Sequence, residues 1–208
     1  MTGTGPTTVG VVSAGGQSSR FGSPKALATV GGVRVVDRVI RALEAVLPRD
    51  RVVCIANDPA LAAAIGLPAR RDLLRDVGAL AGVHAALQWA QELDAAGALV
   101  VGCDMPFVEA SLLQALLDAA GDADVIIPCS EGRRGVEPLC AWYGVRCITA
   151  IEAAVHRGDA RMIGFHEDVS VVHLPLADVR RHGDPARMFL NINTPADLKA
   201  AEALAAGT

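Results

Sequence analysis

Apolar residues along this chain fall into two rhythms. Short unbroken runs recur in "TVGVVSA" (8–14), "RVVCIA" (51–56), "ALVVGCD" (98–104), "ADVIIP" (123–128), "PLCAWY" (138–143) and "VSVVHLP" (169–175). Runs of this length without alternation predict strands covered on both faces. Between them the period changes. "VVDRVIRALEAVL" (35–47) puts Val36, Val39, Ile40, Leu43 and Leu47 on one helical face, and Pro48 ends it. Helices are predicted over 60–66, 80–93, 109–120, 147–159 and 195–206. Asp58-Pro59 and Thr194-Pro195 each read as an N-cap followed by a first-turn proline. Gly121 and Gly158 read as helix stops. Short strands are expected within 67–72 and over 188–194.

Strands and helices in alternation predict an α/β fold, a Rossmann-like three-layer α/β/α sandwich with a mostly parallel sheet. Ligands of such sheets sit beyond the carboxyl ends of the strands, where the strand order reverses. Three places therefore draw interest: the loop after Val12, the residues after Val101 and the residues after Leu190. Residues 1–7 read as a flexible leader, and 8–208 as one domain without linker or internal repeat.

Composition narrows the function. The chain has 208 residues, 51% hydrophobic and 20% charged, which is a folding composition. Aromatics make up only 3%, so the core must be built from Ala, Val, Leu and Ile. The formal charge of -4 gives no basic surplus for nucleic acid or an anionic membrane, so cations for an anionic ligand must be local. No apolar stretch approaches the roughly 20 residues of a membrane span. Five cysteines without a C-x-x-C spacing predict buried thiols in a reducing cytoplasm. The five histidines lack zinc-ligand spacing. Trp89, Trp142 and Tyr143 read as core or rim.

"SAGGQSSRFGSPK" (13–25) leaves the first strand with Gly15, Gly16, Gly22, Arg20 and Lys25 in a stretch without apolar pattern. Glycines let a backbone approach an anion, and main-chain N–H groups with two cations supply charge. The segment matches neither G-x-G-x-x-G nor G-x-x-x-x-G-K-[ST]. Composition alone allows a solvated glycine-rich turn equally well. Asp104, in "VVGCDMPFV", stands just past a strand. A carboxylate there can hold Mg²⁺, which takes one or two carboxylates plus water and phosphate oxygens, or it can cap a turn. Asn191 and Asn193 flank Ile192 in "NINTPADL". Their amides suit phosphate, ribose or metal-bound water, and the same residues also make a competent helix start.

Together these segments resemble the nucleotidyltransferases that handle the molybdenum cofactor. "SAGGQSSRFGSPKAL" is similar to their opening "LAGGxSxRMGxxKxL", with Ser13 and Phe21 in place of leucine and methionine. "DVGALAG" (76–82) resembles "GPLAG", with Ala79 where proline is common. "CDMPF" (103–107), "EPLCAWY" (137–143) and "NINTPADL" (191–198) follow in order. Within the superfamily the pattern is most similar to the molybdenum cofactor guanylyltransferases. A cytidylyl relative, a sugar-phosphate nucleotidyltransferase, or a nucleotide-binding module without turnover are the alternatives. The resemblance implies a cytoplasmic enzyme that takes GTP and molybdopterin as substrates with Mg²⁺ as cofactor. It implies a monomer or weak oligomer with contacts to molybdoenzymes or cofactor carriers. It gives Lys25, Arg20 and Asp104 catalytic roles, with Asp104 on the metal. Ser13, Ala14, Gly15, Gly16, Lys25, Asn57, Asp76, Asp104, Asn191 and Asn193 are implied as binding residues. Arg133 and Arg134 are candidates for an anionic pterin phosphate.

Overall fold

A computed structural model describes residues 7–15, 25–74, 77–121 and 123–207. The first strand, β1 (Thr8–Ser13), lies near the middle of a seven-stranded sheet. On one side it pairs with β4 (Val52–Ile55), which pairs in turn with the edge strand β5 (Ala69–Arg70). On the other side it pairs with β6 (Gly97–Gly102), and all three of these pairings are parallel. Beyond β6 come β8 (Cys140–Gly144), then β7 (Val125–Pro128), then β9 (Val171–Leu174). Only β8 runs antiparallel to its neighbours, so the sheet is mostly parallel as the strand–helix alternation predicts.

Alternation along the central strands splits the core into two layers. Val12, Val52, Cys54, Leu99 and Val101 face α1 (Val35–Glu44) and α4 (Ala110–Ala119), meeting Val36, Val39, Leu43, Leu112 and Leu116. Val9, Val11, Val53, Ile55 and Val100 face α3 (Ala79–Glu92) and α5 (Cys147–His156), meeting Leu80, Val83, Leu87 and Ile151. Burying each such aliphatic side chain is worth about 1.5–3 kcal/mol. Trp142 and Tyr143 are core residues, Trp142 donating its indole N–H to Thr8 Oγ1 at 3.1 Å. Gly97 must be glycine: a Cβ there would stand 2.3 Å from the Tyr143 carbonyl oxygen. Cys54, Cys103, Cys140 and Cys147 are buried and Cys129 is half-buried.

Caps behave largely as the sequence implies. Asp58 accepts the Ala60 N–H at the start of α2 (Pro59–Ile65), and Thr194 forms a capping box with Asp197 at the start of α8 (Pro195–Ala206). Three expectations fail. The helix over 35–47 stops at Glu44, and Leu47 packs back on the core from the following turn. At the end of α4 no left-handed glycine cap forms. Ala120 is already extended (φ -68, ψ 121), keeping its methyl in the core on the way to β7. The segment 188–194 is not a strand. Asp184 caps Ala186, and Pro185 opens a short helix, α7 (Pro185–Met188), so the chain enters this region helical. It was also not foreseen that a hairpin, β2 (Thr29–Val30) with β3 (Val33–Arg34), precedes α1, or that a short helix, α6 (Leu176–Val179), follows β9. The hairpin shares a small apolar cluster with α8: Val30, Val35, Phe107, Ile192 and Ala201.

Among the described residues no helix is long and apolar enough to cross a membrane.

Candidate active site

The strand order places the site. After β1 the chain builds outward to β4 and β5, then returns through α3 to lay β6 on the other side of β1. The carboxyl ends of β1 and β6 therefore flank the reversal point, where parallel sheets open a crevice. Ser13 pairs with Gly102, and Cys103 donates its N–H to the Ser13 carbonyl at 3.0 Å. The two chain segments that leave these strands, beginning at Ala14 and Asp104, start side by side.

A cleft opens there. Its lining includes Ser13, Gly15, Gly78, Gly82, Asp104 and Leu139. Gly15 from the loop after β1 and Asp104 from the turn after β6 thus share one depression. Asp104 is 8% exposed, so its carboxylate belongs to the cleft wall and not to open surface. Gly102 keeps room for it, because a Cβ at 102 would come within 2.8 Å of Asp104 Oδ1. A hard carboxylate in the wall of a cleft suits an oxygen-seeking divalent cation.

The amino end of α3 meets the same cleft. Gly78 precedes the helix at φ 67 and ψ -143, a backbone open essentially to glycine alone, and no side chain among the described residues caps the helix start. An uncapped helix N-terminus presents N–H groups and positive dipole, which favour an anion. Gly82, one turn on, has its pro-Cβ position 3.4 Å from Ser13 Oγ, so a side chain there would crowd the cleft floor.

Two further segments close around this centre. Ile192 donates its N–H to the Asp104 carbonyl at 3.0 Å, bringing Asn191 and Asn193 beside the strand end. Asn191 Nδ2 donates to Phe189 O at 3.0 Å, and Asn193 is exposed. On the other flank, Asn57 and Asp72 are bonded reciprocally: Asn57 Nδ2 donates to Asp72 Oδ2 at 2.6 Å, and the Asp72 N–H donates to Asn57 Oδ1 at 3.0 Å. Asp72 Oδ2 lies 3.9 Å from where a Cβ on Gly15 would stand. Sequence reasoning passed over Asp72. The signal was present, since it follows the edge strand β5 at its carboxyl end.

Glu137 is the other residue not foreseen. Burial raises its carboxyl above the usual carboxylate range, and the negative charge of Asp104 adds to the rise; the Leu139 N–H and the charge of Arg134 oppose it. Arg133 and Arg134 stand exposed in the turn between β7 and β8. Gly16, Arg20 and Asp76 lie outside the described residues, as does the side chain of Lys25. Of the residues expected from the sequence, the structure therefore gathers Ser13, Ala14, Gly15, Asp104, Asn191 and Asn193 around the ends of β1 and β6, with Asn57 at the margin.

Comparison with known proteins agrees with this geometry. The profile of the MobA-like NTP transferase domain matches residues 10–170. A probable molybdenum cofactor guanylyltransferase of Pelotomaculum thermopropionicum is 35% identical over 196 residues, 94% of this chain and 92% of that protein. The crystal structure of molybdopterin-guanine dinucleotide biosynthesis protein A from Archaeoglobus fulgidus superposes with a TM-score of 0.78 at 28% identity, over 97% of this chain and 100% of that one. A Mycobacterium tuberculosis protein solved in complex with manganese shares the fold at a TM-score of 0.66 and 17% identity, over 95% of this chain and 98% of that one. With the profile covering most of its length and the cleft in the expected place, the chain belongs to the MobA-like NTP transferase family and is a nucleotidyltransferase.

Proposed function

We propose that this enzyme transfers GMP from GTP to molybdopterin, forming the guanine dinucleotide and releasing pyrophosphate. The observation that carries the reading is the shared cleft of Gly15 and Asp104 under the uncapped end of α3. Gly15 at the start of the glycine-rich segment, a helix N-terminus and a carboxylate meet there at the switch point of the sheet. The similarity to guanylyltransferases over nearly the whole chain supplies the substrate class.

In this reaction an oxygen of the molybdopterin terminal phosphate bonds to the α-phosphorus of GTP. The bond from that phosphorus to the α–β bridging oxygen breaks, and the electron pair leaves with pyrophosphate. The nucleophile is already ionised at neutral pH, so the obstacle is bringing anions together and not removing a proton. A divalent cation, Mg²⁺ in this reading, adds Lewis acidity toward the phosphate oxygens when bound at Asp104. The chain's own groups do the rest. Backbone N–H groups of the first loop and of α3, with Arg20 and Lys25, offset the charge that builds on the leaving group. Ser13, Ala14, Gly15 and Gly16 line the nucleotide, and Asn57 with Asp72 borders its sugar or base. In this reading Asn191 and Asn193 serve the acceptor side, and Arg133 and Arg134 meet the acceptor's phosphate. Holding both substrates in line supplies the orientational part of the acceleration.

The test is pyrophosphate release from each of the four nucleoside triphosphates, with and without molybdopterin, in Mg²⁺. Release that needs both GTP and molybdopterin is expected. Equal release from CTP, or release with a sugar phosphate in place of molybdopterin, overturns the reading.

A further inference from the structure

Glu137 stands apart from the exposed charges around it. The segment that carries it is fixed at four points. Its own N–H donates to the Pro128 carbonyl at 3.1 Å, and its carbonyl accepts the Cys140 N–H at 3.1 Å. The buried Tyr143 hydroxyl donates to the Pro138 carbonyl at 2.8 Å, and the Leu139 carbonyl accepts the Gly102 N–H at 2.8 Å. The last contact continues the antiparallel ladder in which Val101 pairs with Cys140. The chain therefore leaves β6 toward Asp104 alongside the stretch that enters β8 from Glu137.

The backbones that carry Asp104 and Glu137 are neighbours by this topology, and Glu137 stands where the charge of Asp104 is felt. Leu139, two residues from Glu137, lines the cleft with Asp104. The Leu139 N–H and the positive field of Arg134 favour the ionised carboxylate at Glu137. Two partly buried carboxylates set side by side repel each other, and neither is moved away by a flexible backbone. A divalent cation in the cleft turns that repulsion into attraction. It would also be held better by two oxygens at fixed spacing than by one.

We infer that Glu137 is a second carboxylate of the metal centre, a positioning residue that holds the hydration shell of a divalent cation ligated by Asp104. The inference rests on the reading of Asp104 as a metal ligand. Asp104 supplies the direct contact; Glu137 accepts hydrogen bonds from metal-bound water. The rigid Glu137–Cys140 turn keeps the two acceptors in register while substrates exchange. This assigns a purpose to a half-buried acid that the nucleotide loop and the asparagine segment leave unexplained.

The experiment is a titration of free Mn²⁺ by electron paramagnetic resonance. It uses the full chain with a GTP analogue whose α–β bridge is a methylene. Glu137→Gln keeps the acceptor for the Leu139 N–H and the shape of the side chain but removes the charge. It is expected to weaken Mn²⁺ binding by about 10–100-fold, the usual cost of losing a residue that orients metal ligands. Its melting temperature and its affinity for the analogue in EDTA should be unchanged. Glu137→Asp, which keeps the charge and withdraws it by one methylene, should fall between, and it gives the reading if the glutamine variant is unfolded. Asp104→Asn run in parallel separates the two ideas. If Asp104→Asn loses Mn²⁺ and a folded Glu137 variant binds it as the parent does, the inference falls and the metal role of Asp104 stands. If Asp104→Asn binds Mn²⁺ normally, both fall.

Discussion

The backbone of Ile192 is hydrogen-bonded to the backbone of Asp104, N–H to carbonyl at 3.0 Å, across a sequence gap that spans three strands and four α-helices. Ile192 is fully buried in the small cluster with Val30, Val35, Phe107 and Ala201. Phe107, three residues after Asp104, enters the same cluster, and the guanidinium of Arg187 lies 4.9 Å from its ring centre. The turn that presents Asp104 is thus held from its far side by α8 and the β2–β3 hairpin. Replacing Ile192 by alanine should cost about 2–5 kcal/mol of stability through the cavity it leaves. Turnover at 25 °C should also fall by about tenfold or more, because a carboxylate displaced by a fraction of an ångström serves poorly. Calorimetry and steady-state kinetics on one preparation test both. A lowered melting temperature with parental turnover would detach the cluster from catalysis.

Two glycines of one strand should give opposite phenotypes. A Cβ at Gly97 would press on the Tyr143 carbonyl and the Trp142 indole, backbone and core that have no room to give. Gly97→Ala should cost about 1–3 kcal/mol or more by overpacking, and the enzyme that does fold should work normally. A Cβ at Gly102 would press instead on Asp104 Oδ1, a movable side-chain atom. Gly102→Ala should fold well and require a higher Mg²⁺ concentration for half-maximal rate. Melting curves and a metal titration of rate distinguish them. If Gly102→Ala keeps the parental Mg²⁺ dependence, Asp104 does not act through the metal in the place assigned to it.

Removing the acid should matter most. Asp104→Ala is expected to lower turnover by about a hundredfold or more, the scale for losing one electrostatic stabiliser, with the fold retained by circular dichroism. Lys25→Ala should do the same. Full turnover of Asp104→Ala in Mg²⁺ would end the metal reading.

The layers of this fold are legible in the sequence because each central strand is an unbroken apolar run and the segments between them are apolar with helical length and period, α1 with one apolar stripe and α3 apolar nearly all round. That pattern also places the ends of β1 and β6, and with them Gly15 and Asp104. What escapes is what depends on distant partners. Asp72 follows a two-residue edge strand whose sequence, Ala69-Arg70, carries no apolar signal, and its place beside Gly15 is set by pairing with β4. Glu137 looks like one more charge in an exposed turn until the ladder from Val101 to Cys140 brings it to the end of β6. The asparagine segment reads as a strand because Phe189, Leu190 and Ile192 are apolar. Leu190 and Ile192 pack in the cluster with α8 and Phe189 on the core layer of α1 and α4, with no strand partner along that stretch among the described residues.

The Asn57–Asp72 pair offers a test of where the nucleoside lies. Asp72→Ala removes both the carboxylate and the acceptor that holds the Asn57 amide. If the pair borders the sugar or base, the KM for GTP should rise by about tenfold, the worth of roughly one hydrogen bond to a charged group, with kcat changed little. The half-saturating molybdopterin concentration should stay as in the parent. A rise confined to molybdopterin would put the pair on the acceptor side.

The last expectation concerns pH and stability away from the cleft. His166 packs edge-on against Phe165, ring centres 4.8 Å apart, and its Nε2 is buried without a hydrogen-bond partner among the described residues. Burial, helped by the nearby His173, lowers its pKa from 6.5 to about 4. The folded chain therefore resists a proton that the unfolded chain accepts. As pH falls through about 6.5 the unfolded state begins to gain protons that the native state does not, and stability declines until about pH 4, where the native histidine also protonates. Above pH 6.5 both states are neutral at this site and it contributes no slope. His166→Phe should flatten the dependence between pH 7 and pH 5, an interval chosen to lie above most carboxylate titration. Urea midpoints of parent and variant across that interval give the comparison directly. Parallel slopes would mean that the ring is hydrated or paired in solution and that acid sensitivity arises elsewhere.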